Sequence, residues 1–393
     1  GNAGTAIEPG LRNVNVAADD CAGPLALAQR EAVDFTLVGP ELPLVAGIVD
    51  DFTAAGLPCF GPSKAAAQLE GSKAFSKDFL QRHGIPTAAH ATFTDVNEAS
   101  EYVRAQGAPI VIKADGLAAG KGVVVATDES QALAAVRDML AGNVFGEAGH
   151  KVVVEEFLAG EEASFICLCD GVHAIPFASS QDHKARDDGD KGPNTGGMGA
   201  YSPALVVTRQ VHAAVMREVI EPTLAGMAKD GAPYTGFLYA GLMIDDEGRP
   251  KVIEFNCRFG DPEAQPVMMR LQSDLLQACQ AAVAGKLADA QLQFDQRVAL
   301  GVVMAAGGYP GSYESGDVIT GLDKELADTK VFHAGTREQQ SEIVTAGGRV
   351  LCVVGLGEDV ALAQARAYER LDLIGWRNRY FRKDIGYRAI DRQ

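Results

Sequence analysis

The chain has 393 residues, 47% hydrophobic and 22% charged, which gives room for two or three domains with sizeable cores. A formal net charge of −17 leaves no excess of Lys and Arg to neutralise a phosphate backbone, which argues against a general nucleic-acid binder. No apolar run reaches 18 residues, so no membrane span is predicted, and seven cysteines without CxxC spacing point to buried free thiols in a reducing cytoplasm.

In chain order, VDFTLVGPE (33–41) predicts a strand, LVAGIVDDFTAAG a helix and LPCFGPS (57–63) a second strand. Strand, helix, strand at this spacing is a parallel βαβ unit, whose ligands bind beyond the strand ends, here Gly39–Glu41 and Gly61–Ser63. Residues 64–105 read as helical with one break at GIPTAAHATF. IVIKAD (110–115) and GVVVAT (122–127) are β-branched strands joined by a Gly-rich loop, followed by a helix (129–140) and the strand HKVVVEEFL (150–158). EASFICLCDG (162–171) and HAIPFASSQ (173–181) are strands around a turn, and the polar stretch 182–200 reads as one long loop, of the kind that is mobile or functional. A helix at 208–229 precedes two apolar strands joined at DDEG, then the helix LQSDLLQACQAAVAGKL. From about 296 a β-rich tail runs through RVALGVVMAAGGYPG, GDVITGL, KVFHAGT and GGRVLCVVGLG, with one helix at 359–372.

The loop GLAAGKG invites comparison with a phosphate loop of the form GxxxxGK[ST]. Here only three residues separate Gly116 from Gly120, Gly122 stands where Ser or Thr is needed, and a strand follows instead of a helix. The phosphate-loop reading fails. A plain hairpin and a lid hairpin that folds over phosphates remain, and Lys113 on the first strand, with Ile112 and Ala114 facing the other way, favours the second. Lys121 is a secondary candidate.

VVVEEFLAGEEASF offers Glu155 and Glu162 for an adenine amine and ribose hydroxyls, although surface Glu pairs are usually only solvated. VIEFN places Glu254 and Asn256 on one face of a strand, a hard oxygen pair suited to Mg²⁺. Arg258 follows at once and can brace a transferring phosphoryl group, and Lys73 is a further phosphate cation or an ordinary helix-surface lysine.

Lys113, the Gly-rich hairpin, EEFL and EFNxR in this order resemble the ATP-grasp ligases. GPELPLVAGIVDDF, GPSKAAAQLEGSKAFSKDFL, IKADGLAAGKGV, PNTGGMGAYSP, KVIEFNCRFGDPE and GVVMAAGGYPG are similar, across essentially the whole chain, to the glycinamide ribonucleotide synthetase family. The resemblance implies an α/β (α+β ATP-grasp) architecture with an N-terminal substrate domain at 1–69, an ATP-grasp domain at 70–295 with its lid lobe at about 90–160, and a β-rich C-terminal domain at 296–393. It implies a monomer that uses ATP and Mg²⁺ (or Mn²⁺) to join glycine to 5-phosphoribosylamine through a glycyl phosphate. It assigns ATP to Lys73, Lys113, Gly116, Gly120, Gly122, Glu155, Leu158 and Glu162, metal to Glu254 and Asn256, and catalysis to Arg258 and Lys113. Substrate contacts fall to Asn2, Glu41, Asp182, Thr195, Gly197, Met198, Arg258, Gly260, Asp261 and Glu263.

Two departures stand out. A GGREHA-type turn with its preceding strand, usual before GNAGTA in that family, is not in this sequence, so the first domain is expected to lack its first strand. The strand before EFN reads YAGLMI, so two protein metal ligands are expected, with water and phosphates completing the shell. Other ATP-grasp ligases or carboxylases, and an inactive ATP-binding form, are the alternatives.

Overall fold

The computed structural model describes residues 1–117, 122–141 and 150–392. Strands β1 (Thr36–Leu37) and β2 (Cys59–Phe60) pair in parallel, as the strand–helix–strand spacing predicts. The single helix expected between them is two, Glu41–Ala46 and Ile48–Ala54, because Gly47 turns left-handed with φ 106°. Both helices bury Leu44, Ile48, Val49 and Phe52 against this pair.

A small antiparallel sheet follows, built from β3 (His90–Phe93), β4 (Ile110–Ala114), β5 (Val123–Ala126) and β6 (Val152–Glu156) in the order β3-β6-β4-β5. Helices Val96–Gln106 and Glu129–Leu140, each capped by an Asp, pack their Val103, Ala132 and Val136 onto Ile112, Val152 and Val154. Strand β3 lies where the sequence suggests only a break. It has four residues, sits at the sheet edge and is mostly half-buried, so it carries no readable alternation.

The expected strand 173–181 is also divided. Its first part, β8 (Ala174–Pro176), stays beside β7 (Glu161–Asp170), whereas β9 (Gln181–Asp182) leaves for another sheet. The stretch 182–200, expected as a structureless loop, contains a hairpin of β10 (Ala185–Asp187) and β11 (Lys191–Asn194), then β12 (Gly199–Ser202). The two hairpin strands are short and polar, so hydrophobic patterning cannot reveal them; distant ion pairs hold the hairpin. The buried Arg382 donates to the Ala185 carbonyl (3.1 Å) and to Asp190 (2.8 Å), Tyr387 donates to Asp190 (2.6 Å), and Asp188 accepts from the Lys383 N–H (2.8 Å).

β13 (Thr235–Ile244) and β14 (Pro250–Asn256) complete the central sheet, in the order β14-β13-β7-β8. The final sheet runs β16-β19-β15-β12-β9, joining β15 (Val298–Ala305), β16 (Thr329–His333) and β19 (Arg349–Gly357) to the two strands from 181–202. Two strands of a separate hairpin, β17 (Thr336–Gln339) and β18 (Glu342–Thr345), project from it. GDVITGL forms only isolated bridges, Val318 with Val344 and Thr320 with Gly375, because its backbone is shared between two different neighbours. The helix Val360–Asp372 lies so close to β19 that a Cβ on Gly355 would meet the Ala363 carbonyl at 2.4 Å. No helix among the described residues is long and apolar enough to cross a membrane.

Under this sheet His183 is fully buried; burial, with Arg382 and Arg388 nearby, pushes its pKa down to about 3. The unfolded chain therefore binds a proton that the folded chain excludes between about pH 6.5 and 3. Stability is expected to fall as pH drops through that window, by up to about 1.4 kcal/mol per pH unit from this residue. Urea midpoints at pH 7, 5 and 4 check this, and an unchanged pH slope in His183→Gln would refute it.

Candidate active site

The C-terminal end of β14 opens into a cavity of about 700 Å³ between the first unit, the small sheet and the central sheet. Period-two alternation puts Glu254 and Asn256 on the same face of β14, and both line the cavity. The residue paired with Glu254 on β13 is Gly241, which leaves space beside the carboxylate and offers no third ligand there. Burial raises the proton affinity of Glu254, but Lys184, Lys113, Lys73 and Arg258 outweigh it and hold the carboxyl below its ordinary value. One ionised carboxylate and one amide oxygen form a hard donor pair that fits Mg²⁺, an ion that commonly completes its shell with water and phosphate oxygens. No group of three or more His, Cys, Asp or Glu forms a metal cluster among the described residues.

Lys73 begins the helix Lys73–Arg82, which Ser72 caps by accepting from the Phe75 N–H (3.1 Å). Its ammonium donates to the Gly116 carbonyl (2.8 Å), tying that helix to the start of the Gly-rich hairpin. Burial, with Lys113 nearby, lowers the Lys73 pKa despite the opposing pull of Glu254 and Asp115. Lys113 reaches across from β4 to the Ile253 carbonyl (3.2 Å) and to Glu155 (3.0 Å). Glu155, assigned above to the adenine amine, is buried between two lysines: its other oxygen meets Lys77 at 2.8 Å.

Arg258 is held by carboxylates from two elements, Glu41 at 3.2 Å and Glu70 at 3.2 Å. Glu70 also accepts from the Cys257 N–H (2.7 Å) and thiol (2.9 Å), so it fixes the chain just beyond Asn256. Burial raises the Glu70 pKa, partly offset by Arg258 and these donors. On the opposite wall Glu263 accepts from Ser164 (2.8 Å) and Tyr239 (2.9 Å). Burial, with Glu263, Glu162 and Glu254 adding to it against Lys184, drives the Asp182 carboxyl up to about 8. Lys184 pairs with Glu162 at 2.8 Å; burial lowers its proton affinity, but Glu162, Asp182 and Glu254 raise it well above the usual lysine value.

Of the residues nominated from sequence, Glu41, Lys73, Lys113, Gly116, Gly122, Glu155, Leu158, Glu162, Asp182, Thr195, Glu254, Asn256, Arg258, Gly260, Asp261 and Glu263 all line this cavity. Three do not. Asn2 caps the first helix, accepting from the Thr5 N–H (3.0 Å) and donating to the His333 carbonyl (2.7 Å), so its side chain is engaged within the fold. Met198 is wholly buried in the core of the last sheet, and Gly197 packs against Pro262, where a Cβ would come within 2.3 Å. Gly120 and Lys121 lie outside the described residues.

Residues 1–70, 71–264 and 299–388 match the N, ATP-grasp (A) and C domains of phosphoribosylglycinamide synthetase. The chain is 62% identical over 394 residues to the phosphoribosylamine–glycine ligase of Vibrio vulnificus (strain CMCP6), covering 100% of this chain and 92% of that protein. The corresponding Escherichia coli O6:H1 enzyme is 63% identical over 395 residues, with the same coverage. The chain belongs to the phosphoribosylamine–glycine ligase family. It is an ATP-dependent ligase of purine biosynthesis that acts on phosphoribosylamine and glycine. The Thermotoga maritima phosphoribosylamine–glycine ligase structure, 35% identical, matches with a TM-score of 0.78 over 86% of this chain and 84% of that one. A biotin carboxylase domain from the Hydrogenobacter thermophilus 2-oxoglutarate carboxylase, 19% identical, has a TM-score of 0.71 over 94% of this chain and 81% of its own, and so shares the fold.

The cavity-lining residues that the sequence did not single out include Glu70, Lys77, Lys184 and Arg349. For Lys77 a signal existed, since it stands one helical turn after Lys73 on the same face. Arg349 gave none. It donates to the Gly196 carbonyl (2.6 Å) and to Asp261 (2.6 Å), partners 153 and 88 residues away.

Proposed function

We propose that this cavity holds ATP and glycine over β14 and passes an activated glycine to phosphoribosylamine on the side of Glu41. The observation that carries the reading is the convergence of Glu254 and Asn256 with the cations Lys73, Lys113 and Arg258 on one cavity. Glu254 and Asn256 are proposed to hold Mg²⁺ (or Mn²⁺), which, when bound, neutralises charge between neighbouring phosphate oxygens. Lys73 and Lys113 orient the phosphates and stabilise charge as the terminal phosphoryl group moves to the glycine carboxylate. Arg258, held in place by Glu41 and Glu70, braces the resulting glycyl phosphate. The amine of phosphoribosylamine then attacks its carbonyl carbon, phosphate leaves, and the nitrogen loses a proton. Leu158 and Glu162 are proposed to receive the adenosine, and Thr195, Gly260 and Asp261 the substrates near the 185–194 hairpin. We further propose the divisions 1–69, 70–295 and 296–393, and a cytoplasmic location, which the seven free cysteines support.

The glycyl phosphate is testable by trapping. With ATP, glycine and hydroxylamine but no phosphoribosylamine, the enzyme is expected to release ADP and form glycine hydroxamate in equal amounts. Normal ligase turnover with no hydroxamate and no glycine-dependent ADP release would overturn this route.

A further inference from the structure

Lys77, Glu155 and Lys113 form a buried row of alternating charge, each 3% exposed. Each oxygen of Glu155 holds one ammonium, Lys77 at 2.8 Å and Lys113 at 3.0 Å. Both lysines are also anchored towards β14. Lys77 donates to Thr87 (2.7 Å), which donates to the Val252 carbonyl (2.6 Å), and Lys113 donates to the Ile253 carbonyl (3.2 Å). An ammonium has three donors, so each lysine retains one beyond these two partners.

The charge count gives this row its meaning. Lys113 and Glu155 alone are a neutral pair, and a neutral pair in a poorly solvated site attracts phosphate weakly. Adding Lys77 makes the row net positive, so Glu155 can fix Lys113 in place without cancelling its charge. Burial, with Lys113 close by, lowers the Lys77 pKa to about 8 against the pull of Glu155, so this lysine is mostly charged at neutral pH.

We propose that Lys77 is a positioning residue of the ligase: by neutralising Glu155 it leaves the positive charge of Lys113 available to the phosphates of ATP. The inference rests on the proposed phosphate role of Lys113, and the experiment separates the two.

Steady-state rates with ATP are measured for Lys77→Met, the double variant Lys77→Met with Glu155→Gln, and Lys113→Met. Lys77→Met is expected to lower kcat/KM for ATP at least about 10-fold, since the row becomes neutral. The double variant has the same net charge as the native row and is expected to recover most of that loss, which a merely structural role for Lys77 does not predict. Thermal unfolding of each variant reports folding, and the double variant, compared directly with the native enzyme, decides the question where Lys77→Met does not fold. A double variant no better than Lys77→Met, or one that folds but stays at least about 10-fold below the native kcat/KM, overturns the proposal. Near-native rates in Lys113→Met instead overturn the phosphate assignment itself.

Discussion

Replacing Glu254 by Ala, or Lys113 by Ala, is expected to lower kcat at least about 100-fold, equivalent to about 2.7 kcal/mol of lost transition-state stabilisation. Glu254 stands among Lys73, Lys113, Lys184 and Arg258, and these cations keep it ionised inside the cavity. Its removal takes away the proposed metal carboxylate and leaves those cations with less compensation, so binding and chemistry are both affected. Lys113 is anchored at the Ile253 carbonyl and Glu155. Steady-state kinetics with saturating ATP separate the loss in kcat from any rise in KM. Thermal unfolding of Glu254→Gln and Lys113→Met shows whether folding is retained. Near-normal turnover in both alanine variants would remove the site assignment.

The second large effect is on stability. Arg382→Met is expected to cost about 3–5 kcal/mol, because deleting one partner of a buried charge network strands the others. Arg382 is fully buried and bonded to Asp190, Asp384 and the Ala185 carbonyl. The damage is expected to spread to the cavity, because the same contacts hold the hairpin that leads into Asn194, Thr195 and Gly196. The single tryptophan, Trp376, packs against the core of the last sheet and reports its unfolding by fluorescence in urea. A loss below about 1 kcal/mol would show that the network adds little beyond packing.

What the sequence revealed divides along a physical line. Strands with β-branched runs, such as β4, β5, β6 and β14, could be read directly, and so could the proposed site residues they present, Lys113, Glu254 and Asn256. Short or charged elements could not, because β3 and the 185–194 hairpin draw their order from partners far along the chain. The sixteen cavity-lining residues named from sequence came mostly from the family resemblance, and Met198 shows its weakness: membership of a motif does not say whether a side chain faces ligand or core. Glu155 shows another limit. Its location was legible, but its two lysine partners were not, since one of them lies on a helix 78 residues earlier, by the difference of the numbers 155 and 77.

The segment entering the small sheet carries one more consequence. The Pro86 carbonyl accepts from the Val252 N–H (2.8 Å), and Thr87 donates back to the Val252 carbonyl (2.6 Å), two residues before Glu254. The small sheet is thus hung from the very strand that carries the proposed metal pair, like a door whose hinge is screwed to the lock plate. A swing about that hinge displaces the far edge of the sheet most and the lock plate least. Such a swing would change access to the cavity while Glu254 and Asn256, both on β14, keep their spacing from each other.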